Sequence, residues 1–248
     1  MTEKADIPSV LNDHLIAALN TISTATLTHQ LQMRGIRSTF MSGLKPVHPE
    51  KRMVGRARTL RYVALREDQQ SRLAGGFNAQ KRVVESIQPG DVLVIEARSV
   101  PDAGTIGDIF ATRLFALGGV GIVTDGALRD TPAIADIGVP VYHQASHGAT
   151  YGRQHMPFSA DDAVTCAGVF VMPGDVIVGD GEGAVVVPAA LVEEVVRDAL
   201  IQEEKETFAL EKVAAGQPSL DLFPLAKERL PEFEAWKAAR DAQSEVQK

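Results

Sequence analysis

The stretch GTIGDIFATRLFALGGVGIVTDGALRD, residues 104–130, decides how this chain is read. Gly104 and Gly107 let the backbone turn tightly, and Asp108 stands where a helix running to Leu117 would begin. GIVTD at 121–125 is a short apolar run that suits a covered strand, so the order is loop, helix, strand, loop. In open α/β sheets the ligand crevice lies outside the carboxyl ends of the strands, and residues 126–130 fall at such an end. A helix starting at 107–110 presents amides with no intrahelical partner, which can hold a carboxylate or an enolate oxygen. Arg129 could orient that anion with its fork of donors, and Asp130 could hold a divalent cation beside it, since adjacent side chains in an extended loop diverge toward two subsites. On the residues alone a plainer reading stays open. Asp130, Thr131 and Pro132 make a good helix start with Arg129 as a surface charge, and Asp108 can likewise be only a cap.

Outward from this unit, β and α patterns alternate. The spacing predicts helices over 9–20 and 24–34, the second stopped by Gly35. A strand (RARTLRYVAL, 56–65) and a helix over 78–87 follow, then DVLVIEA at 91–97, whose near-continuous apolar run suits a strand covered on both faces. Beyond residue 130, VPVYH is a further strand. AGVFVM, DVIVGD and AVVVP are three short β runs parted by Pro-Gly-Asp and Asp-Gly-Glu-Gly turns, read as a meander. From Pro188, apolar residues at helical spacing predict a long helix that carries EEKE at 203–206. Past Gly216 an arm holds Phe233 and Trp236, expected to pack on its own domain or on a neighbour, because exposed they would be bare apolar area. The class is α/β, and the length suits one domain over 1–248, with a core at 10–210 and a C-terminal arm at 216–248.

Composition narrows the function classes. Of 248 residues, 45% are hydrophobic and 23% charged, and the net charge of -7 without a dominant basic cluster argues against nucleic acid as a partner. No apolar run approaches a membrane span, and the first residues carry no cationic and apolar leader pattern, so no membrane partner and a cytoplasmic location are expected. Basic residues at 51–61 read as a solvated strand edge, and Lys81 and Arg82 as a solvated helix face. His143 and His147 have an i, i+4 spacing that suggests zinc, but Gly148 and Gly152 argue against a rigid helix there. For one of His143, His147 and His155, or for Arg153, a substrate-facing loop role is the alternative to a core or surface one. GDGEG at 179–183 is too short for a calcium loop and reads as a turn, and the single Cys166 reads as a core residue. Neither GxGxxG nor GxxxxGKS occurs, so a nucleotide or S-adenosylmethionine fold has no support.

GDIF at 107–110, GIVTDGALRD at 121–130, the upstream PGDVLVIEA and the later CAGVFVMPGDVIVGDGEGAVVVP at 166–188 together resemble the RraA-like family, over roughly residues 10–210. That family includes 4-hydroxy-4-methyl-2-oxoglutarate/4-carboxy-4-hydroxy-2-oxoadipate aldolases, the ribonuclease regulator RraA, and proteins labelled as demethylmenaquinone methyltransferases. The resemblance implies a swivelling β/β/α domain, a mixed sheet with flanking helices and a C-terminal helical arm, assembled as a homotrimer or homohexamer with sites at subunit contacts. It implies that Asp130 ligates Mg²⁺ or Mn²⁺, that Arg129 contacts the pyruvyl part of a 2-oxo acid, and that Gly107, Asp108, Ile109 and Phe110 offer amides to its carboxylate. Asp108 would relay a proton through a water on the metal. Glu206, chosen over Glu203 and Glu204, would approach from the long helix of a neighbouring subunit. The implied activity is a metal-dependent lyase releasing pyruvate from a 2-oxo-4-hydroxy acid, with oxaloacetate decarboxylation as a side activity. The alternatives are a non-catalytic regulator of ribonuclease activity and an enzyme of the same fold on a sugar-acid-derived substrate. Specificity for the distal half of the substrate is expected from 143–158, from 75–82, where Asn78, Gln80 and Lys81 lie, and from the arm.

Overall fold

Side-chain caps set the first two helices. Asn12 accepts the Leu15 amide (2.9 Å) and Ser23 the Thr26 amide (3.0 Å), opening α1 (Asp13–Leu19) and α2 (Thr24–Met33). The computed structural model describes residues 10–246, so position 9, where the first helix was expected to start, lies outside the described residues. The chain then forms β1 (Lys45–Pro46), β2 (Met53–Ala64), α3 (Glu67–Leu73), α4 (Ala79–Ser86), β3 (Asp91–Glu96) and β4 (Gly104–Ile106). Next come α5 (Asp108–Ala116), β5 (Gly121–Leu128), α6 (Thr131–Ile137), β6 (Val141–Ser146) and β7 (His155–Ala160). It closes with β8 (Val164–Cys166), β9 (Val169–Val171), β10 (Val176–Gly179), β11 (Ala184–Val187), α7 (Val192–Ala214) and α8 (Leu230–Val246). Two compact units result, one ending at Val196 and the other beginning at Arg197. No helix among the described residues is long and apolar enough to cross a membrane.

One mixed sheet organises the first unit, in the order β1-β6-β5-β3-β2-β10-β11, with β4 paired to β5 and β7 to β2. β2, β3, β5 and β6 are parallel neighbours, and antiparallel strands flank them. The two-residue alternation of strands divides the core between the sheet's faces. Val92, Val94 and Val123 join Met53, Tyr142 and Ile177 on one side, whereas Leu93, Ile95 and Ile122 join Val83, Leu114 and Ile134 on the other. DVLVIEA is therefore apolar throughout because both faces are covered. Truncating Leu93 or Ile95 to alanine would cost roughly 2–5 kcal/mol.

Several expectations change. The strand at 121–125 runs on to Leu128, because Gly126 lets it pass close to Ala97 and Thr105; a side chain there would lie 2.6 Å from Ala97 Cβ. The stretch 143–158 is only partly loop, since β6 reaches Ser146 and β7 starts at His155. The supposed meander splits: β8 and β9 form their own two-stranded sheet, while β10 joins β2 and β11. The basic residues at 51–61 do not line a solvated edge, for β2 is bonded on both sides. Arg58 is buried between Asp161 (2.7 Å) and Asp91 (3.2 Å), and Arg56 also holds Asp91. Burial alone would lower the Arg58 guanidinium, but its hydrogen bond to Asp161 and the charges of Asp161 and Asp91 outweigh that and raise it.

GDGEG is the turn of the β10–β11 hairpin, where Asp180 accepts the amide and hydroxyl of Thr24 (both 2.9 Å) and tethers α2. Cys166 is buried. In the second unit the arm carries α8, the helix that the family resemblance implies there, and its aromatics pack with Phe208 of α7: the rings of Phe208, Phe233 and Trp236 have centroids 5.6–6.0 Å apart. Trp236 Nε1 donates to Glu211 at 2.6 Å, so the indole is packed and its polar tip satisfied.

Candidate active site

Two parallel strand ends create the site. β4 and β5 run side by side, so the turn after Ile106 and the turn after Leu128 emerge at one edge of the sheet. The Arg129 amide donates to Ile106 O (3.0 Å), which stitches the two turns together. The approach requires glycine. A Cβ on Gly104 would lie 2.5 Å from Arg129 Cβ, and one on Gly107 would lie 3.0 Å from Asp130 Oδ2. The sequence places both glycines, and this contact is the reason for them.

The backbone geometry bears on the capping reading of Asp130. It occupies the N-cap position of α6, with proline in the first turn, yet its carboxylate makes no capping hydrogen bond. Its backbone is left-handed (φ 57°, ψ 38°), not the extended conformation usual at a helix N-cap. The carboxylate instead lies beside Arg129, with Nε and Oδ2 3.5 Å apart and the two side chains 45% and 36% exposed. Asp108 is the first residue of α5, behind the cap Gly107, and one of its oxygens accepts the Ile109 amide (2.8 Å).

A cleft of about 210 Å³ opens here, lined by Gln80, residues 104–110, Arg129, Asp130, Thr150 and Tyr151. Six expected residues, Gly107, Asp108, Ile109, Phe110, Arg129 and Asp130, thus share one cavity. Glu206 is not among its lining; it lies on α7 in the second unit, where it accepts from Gln202 (2.7 Å), and Glu204 pairs with Lys237. Thr105 forms the rear of the cleft. Its carbonyl accepts from Tyr62 Oη and Gln80 Nε2 (both 2.8 Å), and its hydroxyl donates to Ala127 O (3.0 Å). Tyr62 is fully buried and burial drives its phenol well above the usual value, so it serves as a donor.

Behind the strand ends, Asp125 accepts from the amides of Ala97 and Ser99, the Ser99 hydroxyl and the Ala167 amide. Burial raises this carboxyl, against the pull of those donors. It pins a turn in which Arg98 and Ser99 both have positive φ.

Sequence reasoning missed Thr150 and Tyr151 as individual residues. Tyr151 packs its ring 5.6 Å from that of Tyr62 and receives the Asn78 amide at 3.4 Å. The available signal was an aromatic between Thr150 and Gly152 in the stretch already suspected of contacting substrate. Gln80 reaches the cleft, whereas Asn78 caps α4 and Lys81 donates to Gly76 O. The histidines have separate engagements. His143 Nδ1 lies 2.7 Å from Ala145 O, His147 accepts the Ala149 amide (3.0 Å), and His155 is buried, its ring lowered to about 4 by burial and then by Arg98.

Among the described residues no group of three or more His, Cys, Asp or Glu converges as a metal cage. Asp130 offers one carboxylate, and Gly107 leaves open the space in front of Oδ2. A hard cation that keeps most of its water shell, as Mg²⁺ does, fits such a donor; an ion seeking thiolates or several imidazoles does not.

A family model described as RraA-like (Aldolase/RraA) matches residues 24–186. The chain belongs to the RraA-like family. A family member from Halalkalibacterium halodurans, provisionally named 4-hydroxy-4-methyl-2-oxoglutarate aldolase, is 31% identical over 190 residues, covering 74% of this chain and 81% of its own. RraAS2 of Streptomyces coelicolor, described as an unusual member of the RNase ES inhibitor RraA protein family, superposes with a TM-score of 0.74 at 34% identity, covering 80% of this chain and 96% of that one. An uncharacterized protein of Pseudomonas syringae has a TM-score of 0.74 at 24% identity, covering 86% and 98%, and shares the fold. The mixed α/β architecture is thus that of the RraA-like family, which holds both aldolase-named and ribonuclease-inhibitor members.

Proposed function

We propose that this chain is a divalent-metal-dependent lyase of the class II aldolase type, cleaving a 2-oxo-4-hydroxy acid to pyruvate and a second carbonyl product. One observation carries the reading: Asp130 stands at a helix start without capping it, and its carboxylate shares a cleft with Arg129 and the first amides of α5. The aldolase-named relative supports it.

The chemistry follows from what those residues can do. Arg129 binds the 2-oxo acid's carboxylate with paired donors, and the amides at the start of α5 add fixed positive potential on the same side. Asp130 would hold Mg²⁺ or Mn²⁺, which when bound supplies a Lewis acid for the negative charge that grows on the 2-oxo oxygen. Cleavage breaks the C3–C4 bond, its electron pair passes into the pyruvate enolate, and the 4-hydroxyl loses its proton as C4 becomes a carbonyl. Asp108, beside the α5 amides, accepts that proton and returns one to C3. Positioned donors aimed at the developing charge contribute factors of about 10²–10³ in comparable sites. Oxaloacetate would lose carbon dioxide through the same enolate.

Glu206 and self-association to a trimer or hexamer remain part of this proposal, the first testable by Glu206→Gln and the second by light scattering. The decisive assay couples pyruvate release to lactate dehydrogenase, with Mg²⁺, with Mn²⁺ and with a chelator. Pyruvate formed only with metal supports the lyase. A second reading rests on the likeness to RraAS2: inhibition of a ribonuclease by the purified protein, with no pyruvate from any 2-oxo acid, would favour a regulator.

A further inference from the structure

Next to the cleft lies a shallow hollow of about 410 Å³, at the junction of segments 75–82 and 143–158 with α3. Thr150 and Tyr151 line both cavities, so the hollow continues the cleft past those residues. Its far side is built from Gln70 and Ser71 on α3 and from Gly75. A Cβ on Gly75 would meet Ser71 O at 2.5 Å, so the turn after α3 needs glycine there, and the Gln70 amide lies across from Gly152, with Nε2 3.6 Å from where a Cβ on that residue would stand. Tyr151 is held on both sides, by the Tyr62 ring and by Asn78.

None of the residues lining this hollow is charged. Three cations nearby in the sequence are committed elsewhere: Arg66 to both oxygens of Asp68 (2.7 and 2.8 Å), Lys81 to Gly76 O (2.8 Å) and Arg98 to Gln154 O (3.0 Å); Arg72 and Arg153 adjoin Ser71 and Gly152 in the chain but do not line the hollow. A carboxylate entering would shed water without meeting an opposite charge in the lining, whereas hydroxyls would meet an amide, two aliphatic hydroxyls and a phenol, each able to donate or accept. Resting on the lyase reading, we infer that this hollow receives the distal part of the substrate, and that this part is uncharged and hydroxylated. The substrate class is a 2-oxo-4-hydroxy acid with a neutral polyhydroxy tail, which cleaves to pyruvate and a neutral hydroxyaldehyde with no oxidant or reductant. The substrate in the relative's name, by contrast, ends in a second carboxylate.

The test compares kcat/KM for pyruvate release by the full chain with Mg²⁺ from 4,5,6-trihydroxy-2-oxohexanoate and from 4-hydroxy-4-methyl-2-oxoglutarate. The neutral-tailed acid is expected to be favoured at least tenfold. Ser71→Arg, at an exposed position on α3, should shift that ratio at least tenfold toward the dicarboxylate, and Tyr151→Phe should lower kcat/KM more for the neutral acid than for the dicarboxylate. A wild-type preference for the dicarboxylate, or an unchanged ratio in folded Ser71→Arg, overturns this inference and leaves the lyase standing. Absence of pyruvate from both acids and from oxaloacetate overturns both.

Discussion

Gly104→Ala is the sharpest perturbation of the site, because it adds one methyl and touches no polar group. The new carbon would lie 2.5 Å from Arg129 Cβ, 2.9 Å from its amide nitrogen and 3.1 Å from its Cα. Ordinary carbon contacts are about 3.5–4.0 Å, so β4 and the end of β5 must part by roughly 1 Å. Two of the three obstructing atoms are backbone, and a rotamer change cannot relieve them. Overpacking of this kind costs roughly 1–3 kcal/mol, which lowers the melting midpoint by about 2–4 °C per kcal/mol in a chain of this size. The larger effect should be on turnover. Arg129 and Asp130 move together relative to the α5 amides, and a displacement near 1 Å costs about a hundredfold in rate. The assay is metal-dependent pyruvate release beside a thermal melt. Gly107→Ala is the internal control for stability, since its methyl meets the end of the Asp130 side chain at 3.0 Å and Arg129 Cβ only at 4.0 Å; it should melt close to wild type even where the methyl, filling the space before Oδ2, lowers turnover. Wild-type kcat/KM in folded Gly104→Ala would refute the claim that this junction holds the reacting groups.

Asp130→Asn keeps the shape and tolerates left-handed backbone, and its half-exposed contact with Arg129 is worth at most about 1 kcal/mol. The melt should therefore move by no more than a few degrees while Mg²⁺-dependent turnover falls at least a hundredfold. Arg129→Lys should be almost as damaging to kcat/KM, because a point charge does not reproduce a planar fork; retention of more than a tenth of the activity would count against paired binding of the carboxylate. His155 makes stability depend on pH. Its buried ring titrates at about 4 against 6.5 in the unfolded chain, so from pH 6.5 downward the unfolded state takes the proton first. Up to about 3 kcal/mol is then lost between pH 6.5 and 4. Asp125 and Asp175, raised by burial, act in the opposite sense at the acid end. Denaturant titrations should give a smaller loss over this window in His155→Gln than in the wild type.

Local pattern carried much of this in the sequence. DVLVIEA and GIVTD announced covered strands, Asn78 its helix, and GDIF with the Arg-Asp pair the cleft's mouth. Less legible was whatever depends on a neighbour far along the chain. β4 is three residues long and exists because Ala127 and Leu128 pair with it. Arg58 looked solvated until Asp91 and Asp161, 33 and 103 residues away, came to its side. Asp130 read equally well as a cap, since φ at a single residue leaves no periodic trace. Tyr151 could not be singled out, because its role comes from packing on Tyr62 and from lining two cavities.

Thr105 ties these parts together in a way that bears on redesign. Its carbonyl is gripped by two donors from the interior and its hydroxyl by the adjacent strand, so the cleft has a stiff back wall anchored in the fold. The hollow beyond Tyr151 is bordered instead by a short helix and a surface turn. A laboratory lineage exchanging residues 70–75 and 150–152 could therefore change which molecules are admitted while Arg129, Asp130 and the start of α5 stay in register.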